Sequence, residues 1–235
     1  MGKWEWQIFL QDTGGGQTYL QWLMSAWGWT MAVALLALVV ALAVGSLIGI
    51  LRTVPNRALA FFGEAWTELF RNIPLIVQLF LWYFVSPRVF APMQQVPGFV
   101  LAVLGLGFFT SARIAEQVKA GIQALPKGQR HAGLAMGLTL PQTYRYVLMP
   151  MAFRIVIPPL TSESMNIIKN SSVAFAVQIA ELTFFAQQAA EETSRGVEIY
   201  LAVTLLYFVS AFIINRIAAV IEHRVQVPGM IGAGK

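Results

Sequence analysis

The sequence contains no cysteine and only two histidines. Without cysteine, the chain can form no disulfide framework, no thiolate zinc site and no cysteine-ligated iron–sulfur cluster. His131 and His223 lie far apart in the chain, so we expect no histidine metal cluster either. Charged residues make up only 11% of the 235 residues, against about 25% in a typical soluble domain. So few charges cannot coat a water-soluble globule.

Apolar residues dominate instead, at 57% of the chain, and the mean hydropathy is +0.64. This composition excludes disorder, collagen and coiled coil. We therefore expect lipid to solvate most of the surface, and residues 1–235 to form a single transmembrane domain. A net charge of +5 would suggest nucleic acid in a soluble protein. Here it indicates Lys and Arg beneath a membrane, with no nucleic-acid partner.

Five segments are candidates for crossing a bilayer, whose core takes about 20 helical residues. They are residues 29–51, 59–85, 98–115, 152–177 and 198–214. The first carries no charge, and a signal peptide is rejected for it because residues 1–28 contain two carboxylates and only one lysine. Pro74 predicts a kink in the second segment, and Pro158-Pro159 predict an interruption of the fourth. The predicted fold is an all-α integral membrane protein.

Of the 16 Lys and Arg residues, Arg71 and Lys169 lie inside predicted spans, and the other 14 are distributed unequally across this predicted membrane. Three lie in segments on one side: Lys3, Arg88 and Arg195. Eleven lie on the other: Arg52, Arg57, Arg113, Lys119, Lys127, Arg130, Arg145, Arg154, Arg216, Arg224 and Lys235. Because Lys and Arg are retained in the cytoplasm, the N-terminus is predicted outside and the C-terminus inside. The carboxylates that then fall outside are Glu5, Asp12, Glu181, Glu191 and Glu192.

The loop between the third and fourth spans predicts two short helices. Pro126 stops the helix that leaves the membrane, and Gly137 is placed to end the next one in a left-handed conformation. Thr139 can cap the second helix, with Pro141 in its first turn. Pro150 is predicted to end that second helix.

Together these signals predict a compact elbow, which we define as residues 117–150. Its surface carries small side chains at Ala132, Gly133 and Ala135, which let another protein's backbone come close. The residues alone leave two interpretations open, an ordinary structured loop or a docking surface.

The elbow resembles the "EAA" loop of ABC-importer permeases, which reads Glu-Ala-Ala, three residues, Gly, nine residues and Ile-x-Leu-Pro. The corresponding residues here are His131-Ala132-Gly133, Gly137 and Val147-Leu148-Met149-Pro150, with the same spacing throughout. His131 replaces the glutamate and Gly133 the second alanine. The resemblance implies that this loop docks on the ATPase subunit, through Gln129, His131, Ala132, Gly133, Gly137 and Pro150.

Other stretches extend the resemblance. Residues 68–78 are similar to the second span of the polar amino-acid uptake branch, and residues 50–57, 137–142 and 158–163 look like one permease of the bacterial glutamate/aspartate importers. This implies a MetI-like type I fold with five transmembrane helices in the bacterial inner membrane. The implied partners are ABC ATPase subunits, a second permease or second copy, and a periplasmic amino-acid-binding protein.

The sequence contains no Gly-x4-Gly-Lys-Ser/Thr phosphate loop. We therefore expect the chain to hydrolyse no ATP itself, to have no enzymatic activity and to hold no cofactor. ATP would be hydrolysed by the partner subunit.

Polar side chains in the second and fourth spans mark a candidate substrate path. A charge within a span costs about 2.5–3.5 kcal/mol on insertion scales and usually faces a cavity or partner. The candidate residues are Arg71, Asn72, Glu163, Lys169, Asn170, Ser171 and Ser172. Lys169 or Arg71 would meet a carboxylate and Glu163 an α-ammonium, while Asn and Ser would supply neutral hydrogen bonds. The alternative is that these groups only bond between helices or across a dimer.

Two further residues, Gln187 and Gln188, fall in a predicted outer loop where they could touch the binding protein. Three alternative functions also stay open. The same machinery could import glutamine, histidine or arginine; the chain could be an ion-coupled secondary transporter; or it could be a non-transporting membrane scaffold. The elbow argues against an ion-coupled secondary transporter. The polar side chains of the fourth span argue against a non-transporting scaffold.

Overall fold

The computed structural model describes residues 4–225, and within that range every regular element is helical. Lys3 and Lys235 of the charge count, and the ends of the predicted domain, lie outside the described residues. The α-helices are α1 Tyr19–Leu51, α2 Arg57–Asn72, α3 Leu75–Phe80, α4 Ser86–Val89, α5 Gly98–Gln123, α6 Lys127–Ala135, α7 Leu140–Thr143, α8 Met149–Asn170, α9 Leu182–Thr193 and α10 Gly196–Val225. The all-α prediction is confirmed.

Tighter and wider turns connect some of these helices. Three segments are 3₁₀-helices: Trp6–Leu10, Ala91–Gln95 and Ser171–Val177. Two are π-helical, Leu81–Val85 after α3 and Tyr144–Leu148 after α7.

Three helices among residues 4–225 are long and apolar enough to cross a membrane: α1, α5 and α10. A fourth span is added if α2 and the segment Leu75–Val89 count as one bent pair. The fourth predicted span corresponds to α8, which is 22 residues long but carries Arg154, Glu163 and Lys169. These charges lower its hydropathy, so five spans remain a prediction.

The predicted kink at Pro74 is a complete break in the helix. α2 ends at Asn72, Ile73 is extended at φ −93° and ψ 130°, and α3 starts at Leu75. A residue before proline is disfavoured in the helical region because the proline ring crowds its backbone. The sequence signal therefore located the break correctly.

The predicted interruption at Pro158-Pro159 is wrong, because α8 continues through both residues. Each proline removes its own donor and crowds the carbonyl four residues earlier, which strains the helix but does not end α8, because the fixed φ of proline is close to the helical value. The α-helix ends later, where α8 passes into the more tightly wound 3₁₀ segment Ser171–Val177. That segment ends at Gln178, which has a positive φ of 59°.

The chain divides into two compact units, each built from separate stretches. The first comprises the chain up to Leu38, Pro74–Gly107 and Met165–Ile213. Its core surrounds α9, and the rings of Phe185 and Trp22 of α1 pack edge to face with centroids 5.0 Å apart. Burial of such apolar surface stabilises the unit by roughly 25 cal/mol per Å².

The second unit comprises Val39–Ile73, Phe108–Ser164 and the chain from Ile214. Within it α1 packs closely on α5 because Gly45 and Gly49 have no side chains. A Cβ at Gly49 would lie 2.6 Å from the Val118 Cβ. Small residues four apart are a common device for close helix packing in membranes.

Candidate functional site

An ion network occupies the second unit at the end of α1. Arg52 follows the last residue of α1, and its side chain is only 1% exposed. Its Nε and Nη2 donate to the two carboxylate oxygens of Glu64 on α2, each at 2.9 Å. Nη2 also donates to Glu116 Oε1 on α5 at 2.9 Å. A buried guanidinium requires such partners, because an unpaired buried charge is very costly.

Two further cations extend this network. Lys119 Nζ lies 3.2 Å from Glu64 Oε2, and Arg71 Nη1 lies 3.6 Å from Glu116 Oε1. The predicted path residue Arg71 is thus connected through Glu116 to Arg52. Glu64 and Glu116 were not among the predicted site residues, although carboxylates within or beside a span indicate a functional site.

A cavity of about 480 Å³, the Arg71 cavity, is lined by Arg71, Arg113, Glu116 and Gln117. Glu163 on α8 is buried and accepts a hydrogen bond from Gln117 Nε2 at 3.4 Å. Arg71 and Glu163 therefore approach adjacent residues of α5. Asn72 instead donates to Glu68 of its own helix at 2.7 Å and is exposed.

The other four predicted path residues belong to the first unit, at the end of α8. Lys169 is exposed and Asn170 half-buried. The Ser171 hydroxyl is buried and donates to the Ile168 carbonyl at 2.7 Å, and Ser172 donates to the Lys169 carbonyl at 2.7 Å. Both serines therefore use their protons within the helix, which leaves only their oxygens to accept a bond from another group.

The elbow has the two predicted short helices. Gly137 adopts a φ of 83° after α6, a conformation that strongly favours glycine. Thr139 forms a capping box with Gln142 at the start of α7, and Pro141 lies in the first turn. These local signals were read correctly from the sequence.

Close packing holds the two elbow helices together. A Cβ at Gly133 would lie 2.8 Å from Thr143 Cγ2, so only glycine fits here without a shift. Gln129 is half-buried, while His131 and Ala132 are exposed. Leu134 and Met136 are 40% and 84% exposed, which leaves apolar side chains on the elbow surface. Exposed apolar residues beside small ones suit contact with another protein.

The prediction that Pro150 ends the second elbow helix is wrong. The Met149 N–H bonds to the Tyr144 carbonyl five residues earlier, so a π-turn joins α7 to α8. Pro150 then lies in the first turn of α8, where a missing N–H is tolerated. The same turn positions the Tyr144 hydroxyl, which donates to the Thr53 carbonyl at 2.8 Å. No sequence signal identified this anchor.

One expectation for the predicted outer side is also corrected. Gln187 and Gln188 are exposed, as predicted, but they lie on helix α9 rather than in a loop. Glu181, one of the carboxylates predicted to fall outside, is fully buried. It caps α9 by accepting from the Thr183 and Phe184 N–H groups at 2.9 Å, and the Tyr207 hydroxyl donates to it at 2.6 Å. A carboxylate at a helix N-terminus is stabilised by the free N–H groups there.

Comparison with known proteins assigns a family to this arrangement. Residues 41–227 match the family described as binding-protein-dependent transport system inner membrane component. The chain belongs to this family. The resemblance read from the elbow motif is thereby confirmed, and the match includes the whole elbow and α8.

Individual family members give a finer comparison. The chain is 43% identical over 240 residues to the glutamate/aspartate import permease protein GltJ of Escherichia coli (strain K12), covering 97% of this chain and 98% of that protein. It is 31% identical to the glutamine transport system permease protein GlnP of the same organism, over 84% of this chain and 90% of that one.

Solved structures of the family have the same fold. A crystal structure of an amino acid ABC transporter with histidines matches at a TM-score of 0.76 and 28% identity, covering 88% of this chain and 95% of that one. An inward-facing structure of the MetNI methionine ABC transporter matches at a TM-score of 0.77 and 22% identity, covering 92% of this chain and 100% of that one. The second likeness concerns the fold alone.

Proposed function

We propose that this chain is a permease subunit of an ATP-driven, binding-protein-dependent importer of glutamate and aspartate. The observation that carries this proposal is the 43% identity to the glutamate/aspartate import permease protein GltJ over nearly the whole of both chains. The elbow supports it independently, because its two helices and exposed surface suit docking on an ATPase subunit. The partners we propose are that ATPase, a second permease and a periplasmic receptor.

In this proposal the chain lies in the bacterial inner membrane with five spans, if α8 and the bent pair formed by α2 and the segment Leu75–Val89 each count as one. The N-terminus lies outside and the elbow and C-terminus lie in the cytoplasm, as the excess of Lys and Arg suggests. ATP binding and hydrolysis by the partner would then move the elbow.

The hydrogen bond from Tyr144 to Thr53 offers a route for that motion. Thr53 is next to Arg52, whose guanidinium is bonded to α2 and α5 and, through Glu116, to Arg71. Movement of the elbow would shift these helices together, because a buried, bidentate ion pair resists separation. The motion would thereby reach the Arg71 cavity.

The substrate path we propose combines the residues predicted from the sequence with Arg113. Arg71 and Arg113 line the Arg71 cavity, and two guanidinium groups suit a ligand with carboxylates. Glu163, buried beside Gln117, would take the α-ammonium. As predicted from the sequence, Lys169 or Arg71 would meet a carboxylate, and Asn72, Asn170, Ser171 and Ser172 would supply neutral hydrogen bonds.

Reconstitution tests the substrate. We expect the complex of this chain with its ATPase, second permease and receptor to hydrolyse ATP faster with glutamate or aspartate, but not with glutamine, histidine or arginine. Stimulation by those three alone would overturn the acidic substrate and favour a system like that of the glutamine permeases. Uptake by the purified chain without the ATPase would instead indicate an ion-coupled transporter.

The same assay tests the path. Lys169→Met is expected to raise the glutamate concentration needed for half-maximal stimulation about tenfold or more, since a charge-assisted hydrogen bond contributes about 1.5–3 kcal/mol. Arg88→Met is the control, because Arg88 is also exposed but was not placed on the path. Unchanged stimulation in Lys169→Met would remove Lys169 from the path.

The elbow packing yields a separate prediction. Gly133→Ala should reduce glutamate-stimulated ATPase, because its Cβ pushes on Thr143 Cγ2 and overpacking of this kind costs about 1–3 kcal/mol. Gly128→Ala is the matched control on the same helix, with no atom within 4 Å of its Cβ. Adding Thr143→Ser removes Cγ2 and should restore part of the activity, since the hydroxyl oxygen at 3.1 Å remains. If the double variant is as impaired as Gly133→Ala, this contact is not the cause.

A further inference from the structure

A second cavity lies at the base of the elbow, on the side of α6 that carries Lys127 and Arg130. Its volume is about 440 Å³. It is enclosed by the segment after α1, the end of α5, the start of α6 and the π-turn before α8. We call it the elbow cavity, and it is lined by Arg52, Thr53, Ile122, Gln123, Leu125, Pro126, Lys127, Arg130, Tyr144 and Leu148.

The charge around the elbow cavity is of one sign. Arg52, Lys127 and Arg130 line it, and no carboxylate does. Arg52 is balanced by Glu64 and Glu116, but Lys127 and Arg130 have no ion-pair partner among the described residues. The cavity therefore carries an unbalanced positive charge.

Two of these guanidinium groups also have unused donors. Arg52 Nη1 and Arg130 Nε are buried, and neither has a hydrogen-bond partner in the part of the chain that the structure describes. A buried donor left without an acceptor costs free energy. Both residues line the elbow cavity, so an anion with several acceptor oxygens there would accept from these donors after a small side-chain rotation and lower that cost.

The start of α6 adds further positive potential. Pro126 precedes the helix and no side chain caps it. The first N–H groups of a helix are free to bind an anion, and the helix dipole favours negative charge there. Because Pro126 and Lys127 line the elbow cavity, this helix end opens on the same space as the three basic side chains.

We propose that the elbow cavity binds a phosphate group, supplied by the headgroup of an anionic phospholipid. Basic pockets between helices at the cytoplasmic side of a membrane recognise such headgroups. Ile122, Leu125 and Leu148 give the cavity an apolar side, which suits the glycerol and first acyl carbons of a lipid better than a free ion. The bound lipid would tie the elbow to the membrane surface.

This inference goes beyond the proposed function and takes from it only the cytoplasmic position of the elbow. Native mass spectrometry of the purified importer complex tests it, with phosphatidylglycerol, phosphatidylcholine or inorganic phosphate as probe. We expect the complex to retain phosphatidylglycerol and to lose phosphatidylcholine. The double variant Lys127→Gln/Arg130→Gln should retain at least tenfold less phosphatidylglycerol.

Two controls separate charge from folding. Lys127→Arg/Arg130→Lys keeps both charges and should retain the lipid, and Arg57→Gln removes an exposed cation outside the cavity without effect. Gel filtration verifies assembly, and the single glutamine variants, each expected to lose part of the binding, serve if the double variant does not assemble. The readout requires neither transport nor ATP hydrolysis, so it stands apart from any failure of the proposed function.

The probes distinguish the source of the phosphate. Retention of inorganic phosphate by the parent but not by Lys127→Gln/Arg130→Gln, without retention of phosphatidylglycerol, would overturn the lipid assignment and support a site for a soluble anion. Equal retention of phosphatidylglycerol by the parent and by Lys127→Gln/Arg130→Gln would overturn the site itself, as would retention of neither probe.

Discussion

Replacing Arg52 by methionine is expected to lower the free energy of unfolding by about 3 kcal/mol, because removing one partner of a buried ion pair leaves the other charge uncompensated. Among the described residues, Glu64 would then keep only Lys119, and Glu116 only Arg71, as cationic partners. The expected cost lies at the lower end of the usual range because these two carboxylate side chains are 47% and 38% exposed. The loss is measured as a fall in the melting temperature of the purified permease in detergent.

Matched variants sharpen the Arg52 experiment. Arg57→Met removes an exposed arginine at the start of α2 and should leave the melting temperature nearly unchanged. Arg52→Lys keeps the charge but cannot donate two parallel hydrogen bonds to Glu64, so an intermediate loss is expected. Adding Glu64→Gln to Arg52→Met should recover part of the stability. If Arg52→Met melts with the parent, the network contributes little to the fold.

The elbow could be predicted from the sequence because its signals are local. Gly137 ends α6, Thr139 caps α7, and each acts on backbone groups within a few residues. Pro74 likewise breaks the helix in which it occurs. Local signals did not give the right structure where two of them compete. Pro150 was expected to end a helix, but the π-turn before it shifts the hydrogen-bond register and places it in a first turn.

The candidate site depends on contacts that the sequence does not encode locally. Arg52 is bonded to Glu64, which lies 12 positions along the chain, and to Glu116, which lies 64 positions along. Nothing in the order of the residues indicates these pairs. Charge counting placed Arg52 on the cytoplasmic side of the membrane but gave no sign that its side chain is almost fully buried. Glu181 shows the same limit, because its burial follows from the packing of α9 and the reach of Tyr207.

Gly49 is a position where α1 packs tightly against α5. Gly49→Leu should abolish recovery of folded permease, with a loss of at least about 3 kcal/mol, the upper end of what overpacking costs. The added Cβ alone would lie 2.6 Å from Val118 Cβ and 2.9 Å from the Ala115 carbonyl oxygen. A backbone carbonyl cannot rotate away, so the two helices must separate. Recovery is measured as the monodisperse fraction in fluorescence-detected gel filtration.

Gly28→Leu is the matched control, since Gly28 lies on the same helix and no atom lies within 4 Å of its Cβ. It should be recovered like the parent. Val118→Ala should not rescue Gly49→Ala, because alanine keeps the Val118 Cβ, which is the atom nearest to the added methyl group. At Gly133 the nearest atom is Thr143 Cγ2, and Thr143→Ser removes it. The added methyl group therefore meets the main chain and a Cβ at Gly49, but a side-chain methyl group at Gly133. Full recovery of Gly49→Leu would show that α1 and α5 can pack farther apart than they do here.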